Sequence, residues 1–362
     1  MTIPKDIREL CENPATILRR YRDSGVKVIG YSCSYVPEEM IISADMQPYR
    51  VSNRGAETSA LTPSFVCPFA SSAMENMLKL KDFFSGLVIT HTCDPMWRMY
   101  DILKKKVAKP VFLLRVPHDI ENNLSADFFR AELARFGRFL EENSGAKINE
   151  TMLVNSIDLC NENRSLLKDI YMLNKDQKNG ISALDRFQLV LASMWMPKKE
   201  INRTMKMLEL DHNAADGLLR VHVNGTAIYD LELIKTIGDS GGFVASDDLC
   251  TGSRYFWTNV EDSQEPISAL AHRYFSKTPC PSHGPLERRL EYIDFMVKEF
   301  EARGVITFTE SFCDPILYDS VHIRNSLAQN GVPSVVIDYE NPAQEIGRIK
   351  TRVEAFVESL RE

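Results

Sequence analysis

The sequence predicts an α/β protein in which two units with parallel sheets are joined by a helical connector. Short β-branched runs ending in small or polar residues alternate with longer amphipathic segments, the pattern of βαβ units. A segment of the first half is repeated in the second. At 362 residues with 44% hydrophobic content, the chain buries a large core, and its length favours more than one domain.

The candidate strands of the first part are Val26–Tyr31, Tyr49–Ser52, Gly86–Thr90 and Val111–Val116; those of the second are Arg220–Val223, Gly242–Ser246, Val305–Thr309 and Ser334–Asp338. Between them, Phe128 to Met207 is rich in Leu, Glu, Lys, Arg and Asn at helical spacing, with Ile181–Met194 expected to be its most buried helix. The resulting division is a first domain over 1–125, a connector over 126–215 and a second domain over 216–362.

The repeat is explicit. Gly86-Leu-Val-Ile-Thr-His-Thr-Cys93-Asp94-Pro95 is echoed by Gly304-Val-Ile-Thr-Phe-Thr-Glu-Ser-Phe-Cys313-Asp314-Pro315. Each is followed by a helix-like stretch holding Tyr and Asp (Tyr100 and Asp101; Tyr318 and Asp319), then by a strand led by Pro110 or Pro333. Two copies of one Rossmann-like, flavodoxin-like βαβ design are implied.

The cysteines fall on this frame. Cys33 follows the first strand, Cys67 precedes a helix starting near Ser71, and Cys93 ends the third strand. In the second half Cys250 follows the second strand, Cys280 sits in a Pro-flanked loop and Cys313 ends the third strand. Ligands of open α/β sheets collect beyond the carboxyl ends of the strands, so these thiols are expected to face one cleft between the domains. Cys11 and Cys160 lie in helical stretches and read as small packing residues.

Soft thiolates on a rigid scaffold suit zinc or iron–sulfur clusters. No Cys-x-x-Cys knuckle is present, which fits structural zinc poorly. Buried core cysteines are a second reading, opposed by the flanking prolines at Cys67-Pro68, Cys280-Pro281 and Cys313-Asp314-Pro315. A catalytic thiol with His91 or His222 as base is a third.

Composition excludes other classes. A formal charge of −7 and a pI near 5.6 argue against a nucleic-acid surface. The basic run Lys104–Lys106 reads as a solvated helix end. The charged start from Met1 to Leu10 and the lack of a long apolar stretch predict a cytoplasmic protein without a membrane span, whose cysteines stay reduced. The chain has no Gly-x-x-x-x-Gly-Lys-Ser/Thr loop and no Gly-x-Gly-x-x-Gly, so neither ATP hydrolysis nor dinucleotide hydride transfer is expected of it.

The run from Gly30 through Cys33 to Ile41 resembles the 2-hydroxyacyl-CoA dehydratase and benzoyl-CoA reductase components. So do Cys67-Pro68, Cys93-Asp94, Phe312-Cys313-Asp314, the segment Asp247-Asp248-Leu249-Cys250-Thr251-Gly252-Ser253-Arg254 and the tail Arg348–Glu358. The likeness spans nearly the whole chain. It implies two Rossmann-like domains clasping an oxygen-sensitive iron–sulfur cluster through Cys67, Cys93 and Cys313. It also implies a separate ATP-dependent activator iron–sulfur protein that delivers low-potential electrons.

The added Cys33, Cys250 and Cys280 resemble the family's double-cubane branch, in which a bridging sulfide joins two cubanes into an [8Fe-9S]-type cluster. The leading expectation is therefore a low-potential reductase acting on a small substrate. The alternatives are a subunit of a single-[4Fe-4S] dehydratase that reduces a thioester to a ketyl radical, and a non-catalytic electron-transfer subunit. A homodimer, or a heterodimer with a related subunit, is expected in each case.

Other residues are weaker candidates. Glu39 is read either as a proton-transfer group or as a carboxylate favouring a helix start. His91 is read as a hydrogen-bond donor to a cluster sulfur or as a satisfied core histidine. Asn224, in the Val223–Thr226 turn, is a candidate for substrate binding or for capping a helix. Arg254 is a candidate for holding an anion or for balancing Asp247 and Asp248.

Overall fold

A computed structural model describes residues 3–54, 57–175, 181–208, 217–263 and 265–361. The expected boundary at 215/216 lies outside the described residues.

All eight expected strands are present: β1 (Val28–Tyr31), β2 (Gln47–Arg50), β3 (Gly86–His91), β4 (Val111–Arg115), β5 (Leu219–Gly225), β6 (Gly242–Asp248), β7 (Gly304–Glu310) and β8 (Ser334–Tyr339). They form two four-stranded sheets with the orders β2-β1-β3-β4 and β6-β5-β7-β8. Every pairing is parallel. The repeat read from the sequence is thus one topology used twice. In each sheet the order reverses between the two central strands, and that crevice is where α/β sheets bind ligands.

Two short helices, α1 (Lys5–Glu12) and α2 (Thr16–Asp23), precede the first sheet, whose crossovers are α3 (Glu38–Ser43), α4 (Pro68–Lys79) and α5 (Asp94–Lys106). Lys104–Lys106 form the exposed last turn of α5, where cations complement the helix dipole. The connector holds α6 (Asn123–Ser144), α7 (Glu150–Leu173), α8 (Ala183–Ser193) and α9 (Lys198–Lys206).

Local chemistry sets the bounds of the connector helices. Asn122 Oδ1 accepts from the Leu124 amide at 2.9 Å, Asn149 Oδ1 from Met152 at 2.9 Å and Ser182 Oγ from Asp185 at 3.0 Å. Gly145, with φ of +78°, ends α6 in the left-handed conformation that glycine adopts without a Cβ clash. Helix α8 is buried from Asp185 to Ser193, as its apolar run suggested.

The second sheet is served by α10 (Glu232–Asp239), α11 (Ser253–Phe256), α12 (Pro266–Ser276), α13 (Leu286–Glu299), α14 (Asp314–Gln329) and α15 (Pro342–Ser359). One apolar core runs from Ile7 and Leu18 through Phe187 and Leu191 of α8 to Val221 and Val244 of the second sheet. A second core packs Ile29, Val88 and Phe112 of the first sheet on Phe129 and Phe136 of α6 and on Leu270 and Tyr274 of α12. Helix α12 therefore lies between two strands of the second sheet in sequence but packs into the core beside the first.

The connector also covers the outer strand of the first sheet. The Arg50 amide donates to Met194 O at 3.2 Å, and Trp195 Nε1 donates to Arg50 O at 2.8 Å. This satisfies backbone groups that an edge strand would otherwise expose. Among the described residues no helix is long and apolar enough to cross a membrane.

Candidate metal centre

Three thiols sit at helix starts. Cys67, Cys93 and Cys313 are the N-cap residues of α4, α5 and α14, and each helix has proline in its first turn. Proline is tolerated there because that position has no intrahelical donor to lose. Helix α4 begins at Pro68 rather than near Ser71, because Cys67-Pro68 itself starts the turn. A thiolate at such a position meets free amides and the positive end of the helix dipole. Phe312, just before Cys313, has φ of +61°, an uncommon value for a large side chain at a tight strand-to-helix turn.

The other three sit in loops. Cys33 follows β1, Cys250 follows β6, and Cys280 lies between α12 and α13. In topology Cys280 matches Cys67, since each precedes the helix leading to the third strand of its sheet, and Cys93 matches Cys313. Cys33 and Cys250 have no counterparts. Gly252 lets the Cys250 loop fold back on β6, for a Cβ there would lie 2.0 Å from Asp247 Oδ1.

The structure gathers all six into one connected group of free thiols. The thiols of Cys67 and Cys313 are hydrogen-bond neighbours. Cys93 lies within electrostatic reach of Cys280, Cys313 and Cys33, and Cys280 within reach of Cys33 and Cys250. Burial pushes the Cys93 thiol up to about 12, and Cys280 is raised for the same reason. Cys67 is raised by its bond to Cys313 and by burial. Cys11 and Cys160 are buried in α1 and α7 as expected of packing residues.

Polar groups absent from the sequence reading line this cleft. Arg50, 1% exposed at the end of β2, donates from Nη2 to Cys250 Sγ at 3.1 Å and from Nη1 to Cys250 O at 2.7 Å. Lys277 is buried on Ser34, donating to its carbonyl at 2.7 Å, and lies 4.1 Å from the Tyr35 ring centre. Burial, with Arg273 and Arg254 nearby, pushes its ammonium well below the usual lysine value. On the other flank Glu310 Oε2 accepts from the Phe69 amide at 2.7 Å and from Cys67 Sγ at 3.6 Å. Burial raises that carboxyl to about 7. A charged residue in or beside a predicted buried strand was the available signal for Arg50 and Glu310.

The weaker candidates divide. His91 ends β3, half-buried, with its ring 4.4 Å from Trp97 and 5.9 Å from His118. Burial, with His118 adding to it, lowers its affinity for protons. Glu39 stands in the first turn of α3, wholly buried, 2.6 Å from Arg164 Nη1 and 2.9 Å from the Tyr274 hydroxyl. Burial raises its carboxyl, but Arg164 and Arg273 outweigh this and the net shift is downward. Its surroundings are those of a structural ion pair. His222 is buried on Ser246 Oγ at 2.8 Å, inside the second sheet.

Asn224 and Arg254 are engaged within the protein. Asn224 donates to Thr307 Oγ1 at 3.2 Å and accepts from Arg289 at 2.8 Å. Arg254 Nε lies 2.9 Å from Asp248 Oδ1, and its Nη2 donates to Gly225 O at 2.7 Å. Of the two readings of Arg254, its position is that of a counter-charge to Asp248. Asp247 is held instead by Tyr171 and by the Ser253 amide. Arg254 still lies within reach of the Cys280 and Cys250 thiols.

Comparison with known proteins agrees with the resemblance. The family model described as 2-hydroxyglutaryl-CoA dehydratase, D-component, matches residues 33–360. The chain belongs to that D-component family. It is 27% identical to the (R)-phenyllactyl-CoA dehydratase beta subunit of Clostridium sporogenes, covering 98% of each chain. It is equally 27% identical to a benzoyl-CoA reductase subunit from Thauera aromatica, over 94% of this chain and 92% of that one. The beta subunit of (R)-2-hydroxyglutaryl-CoA dehydratase from Acidaminococcus fermentans is also 27% identical, over 98% of each.

The donor set of this D-component relative fits a cluster better than a single ion. Among the described residues no three His, Cys, Asp or Glu side chains stand close enough to hold one metal ion. The thiols are instead spread over several loops and helix starts, with the buried Arg50 and Arg254 among them. That spacing and charge suit a larger, anionic iron–sulfide group with thiolate corners.

Proposed function

We propose that this D-component relative is a low-potential iron–sulfur reductase component whose cleft thiols hold a double-cubane [8Fe-9S]-type cluster. It is reduced by a separate ATP-dependent activator and in turn reduces a small substrate. The observation carrying this reading is that Cys33, Cys250 and Cys280 join Cys67, Cys93 and Cys313 in one connected group. A single cubane leaves the loop thiols without a purpose.

When bound, such a cluster would supply electrons one at a time at low potential, and the chain's residues would hold it and control its surroundings. The helix-start thiolates would bind one part, stabilised by helix amides. The loop thiolates would bind the other, beside Arg50. Because Cys93 keeps its proton up to about 12 without metal, loading must release that proton. His91, two residues before Cys93 in sequence, is the proposed donor of a hydrogen bond toward sulfur or substrate. The relatives are named as subunits, which supports a dimer with an identical or related chain.

Iron and acid-labile sulfide per chain after anaerobic purification test the reading. Content matching the double-cubane formula supports it. Half that content, with Cys250 and Cys280 unligated, supports the second reading, a single-cluster dehydratase subunit. That reading is favoured by the dehydratase names of two of the relatives described above.

A further inference from the structure

The buried cations of this protein are neutralised in different ways. Arg164 is paired with Glu39, Lys198 with Glu38, and Arg254 and Arg289 with Asp248. Arg186 and Arg220 are spent on backbone carbonyls. Arg50 shares their lack of a carboxylate partner but differs in its other neighbours: it is 1% exposed, and Cys250 and Cys33 are, with Tyr229 and Tyr31, the groups that bear on it. Its hydrogen bonds go to Ser32 O, Met194 sulfur, Cys250 O and Cys250 Sγ. Among the described residues Lys277, 3% exposed, likewise has only Ser34 as hydrogen-bond partner; burial, Arg273 and Arg254 disfavour its charge, and Cys33 and Cys250 are the anion-forming groups within its reach that favour it.

An unpaired buried charge is costly, and its cost is offset where an anion shares the site. Here the available anions are the loop thiolates. On the opposite flank no cation among the described residues is hydrogen-bonded to a thiol. Cys67, Cys93 and Cys313 have only helix N-termini, roughly half a charge each, and Cys67 faces the Glu310 carboxyl at 3.6 Å. A full charge at 3.1 Å from one sulfur, in a site shielded from water, outweighs a partial charge.

We propose that Arg50, with Lys277 behind it, is a positioning residue that makes the Cys33–Cys250–Cys280 side of the cluster the easier side to reduce, so that an incoming electron rests there. This deepens the double-cubane reading and rests on it. Arg50 reaches from the first sheet to a thiol of the second, so the same contact makes electron placement depend on the two sheets being closed on each other.

The experiment uses the full chain, purified anaerobically, as wild type, Arg50→Gln, Arg50→Lys, Lys277→Met and Lys277→Arg. Iron and sulfide content is measured first, then a potentiometric titration followed by electron paramagnetic resonance. Arg50→Gln and Lys277→Met are each expected to keep their iron and to make the first reduction at least tenfold less favourable, ~59 mV for a one-electron couple. Arg50→Lys and Lys277→Arg are expected to stay near wild type.

Full iron with unmoved potentials in both neutral variants overturns the proposal while leaving the cluster reading intact. Loss of iron in both also overturns it, because the residues then only support the fold. A wild-type iron content of half the double-cubane value removes the cluster reading and the proposal together.

Discussion

The two sets of thiols reach one cleft by different physics. Cys67, Cys93 and Cys313 are placed by secondary structure, each at the start of a regular helix with proline in its first turn, and the helix supplies amides toward the sulfur. Cys33, Cys250 and Cys280 are placed by loops and receive their compensating charge from side chains brought from elsewhere, Arg50 from β2 and Lys277 from the end of α12. A helix start holds a thiolate by local geometry. A loop thiolate depends on the whole tertiary arrangement.

The largest expected effects break the first set. Replacing Cys67, Cys93 or Cys313 by Ala is expected to abolish stable cluster binding, since water replaces a thiolate corner poorly; iron content is the measurement. The same change at Cys33, Cys250 or Cys280 is expected to cost only part of the iron. Full retention at any position removes that residue from the ligand set, and equal loss at all positions erases the distinction between the sets.

A second test separates carboxylates that hold the fold from the one that faces a thiol. Arg164→Met leaves Glu39 charged and unpaired in the interior and is expected to destabilise the protein by about 3–5 kcal/mol. Glu310→Ala, which strands the Phe69 and Asn53 donors, is expected to cost less, about 1–3 kcal/mol. Anaerobic chemical denaturation measures both. An Arg164→Met cost no greater than that of Glu310→Ala would show that the Glu39 pair is not the stronger anchor.

The smallest effect compares the central strands. β5 carries His222, wholly buried and lowered from 6.5 to about 4 by burial, whereas the corresponding part of β1 in the other sheet is Ile29 and Gly30. The unfolded chain binds this proton more readily, so stability is lost as pH falls from about 6.5 toward about 4. His222→Asn is expected to flatten that acid limb. Hydrogen exchange at mildly acid pH, corrected for intrinsic rates, is expected to loosen β5 and its neighbours before β1 and β3, and the opposite order would contradict this account.

The sequence by itself determined the frame. Its apolar, β-branched runs located the central strands, because a strand buried on both faces needs a continuous apolar stretch, whereas β2, Gln47-Pro-Tyr-Arg50, holds no β-branched residue and starts two positions before the expected Tyr49. Its two Cys-Asp-Pro signatures marked helix starts, because proline fits only the first turn, whereas Cys67-Pro68, expected in a loop ahead of Ser71, is itself a helix start. The six cysteines that the structure draws together are those the sequence singled out, and the two it set aside as packing residues lie buried in helices.

Tertiary structure alone decided the partners. Nothing in the order of residues shows that Arg50 spans 200 positions to reach Cys250, or that Glu39 meets Arg164 across 125. It likewise required the fold to show that Asn224 and Arg254 are spent on Arg289 and Asp248. Local propensity is written in neighbours along the chain. The compensation of a buried charge depends on which groups the packed core brings within a few ångströms, whatever their distance in sequence.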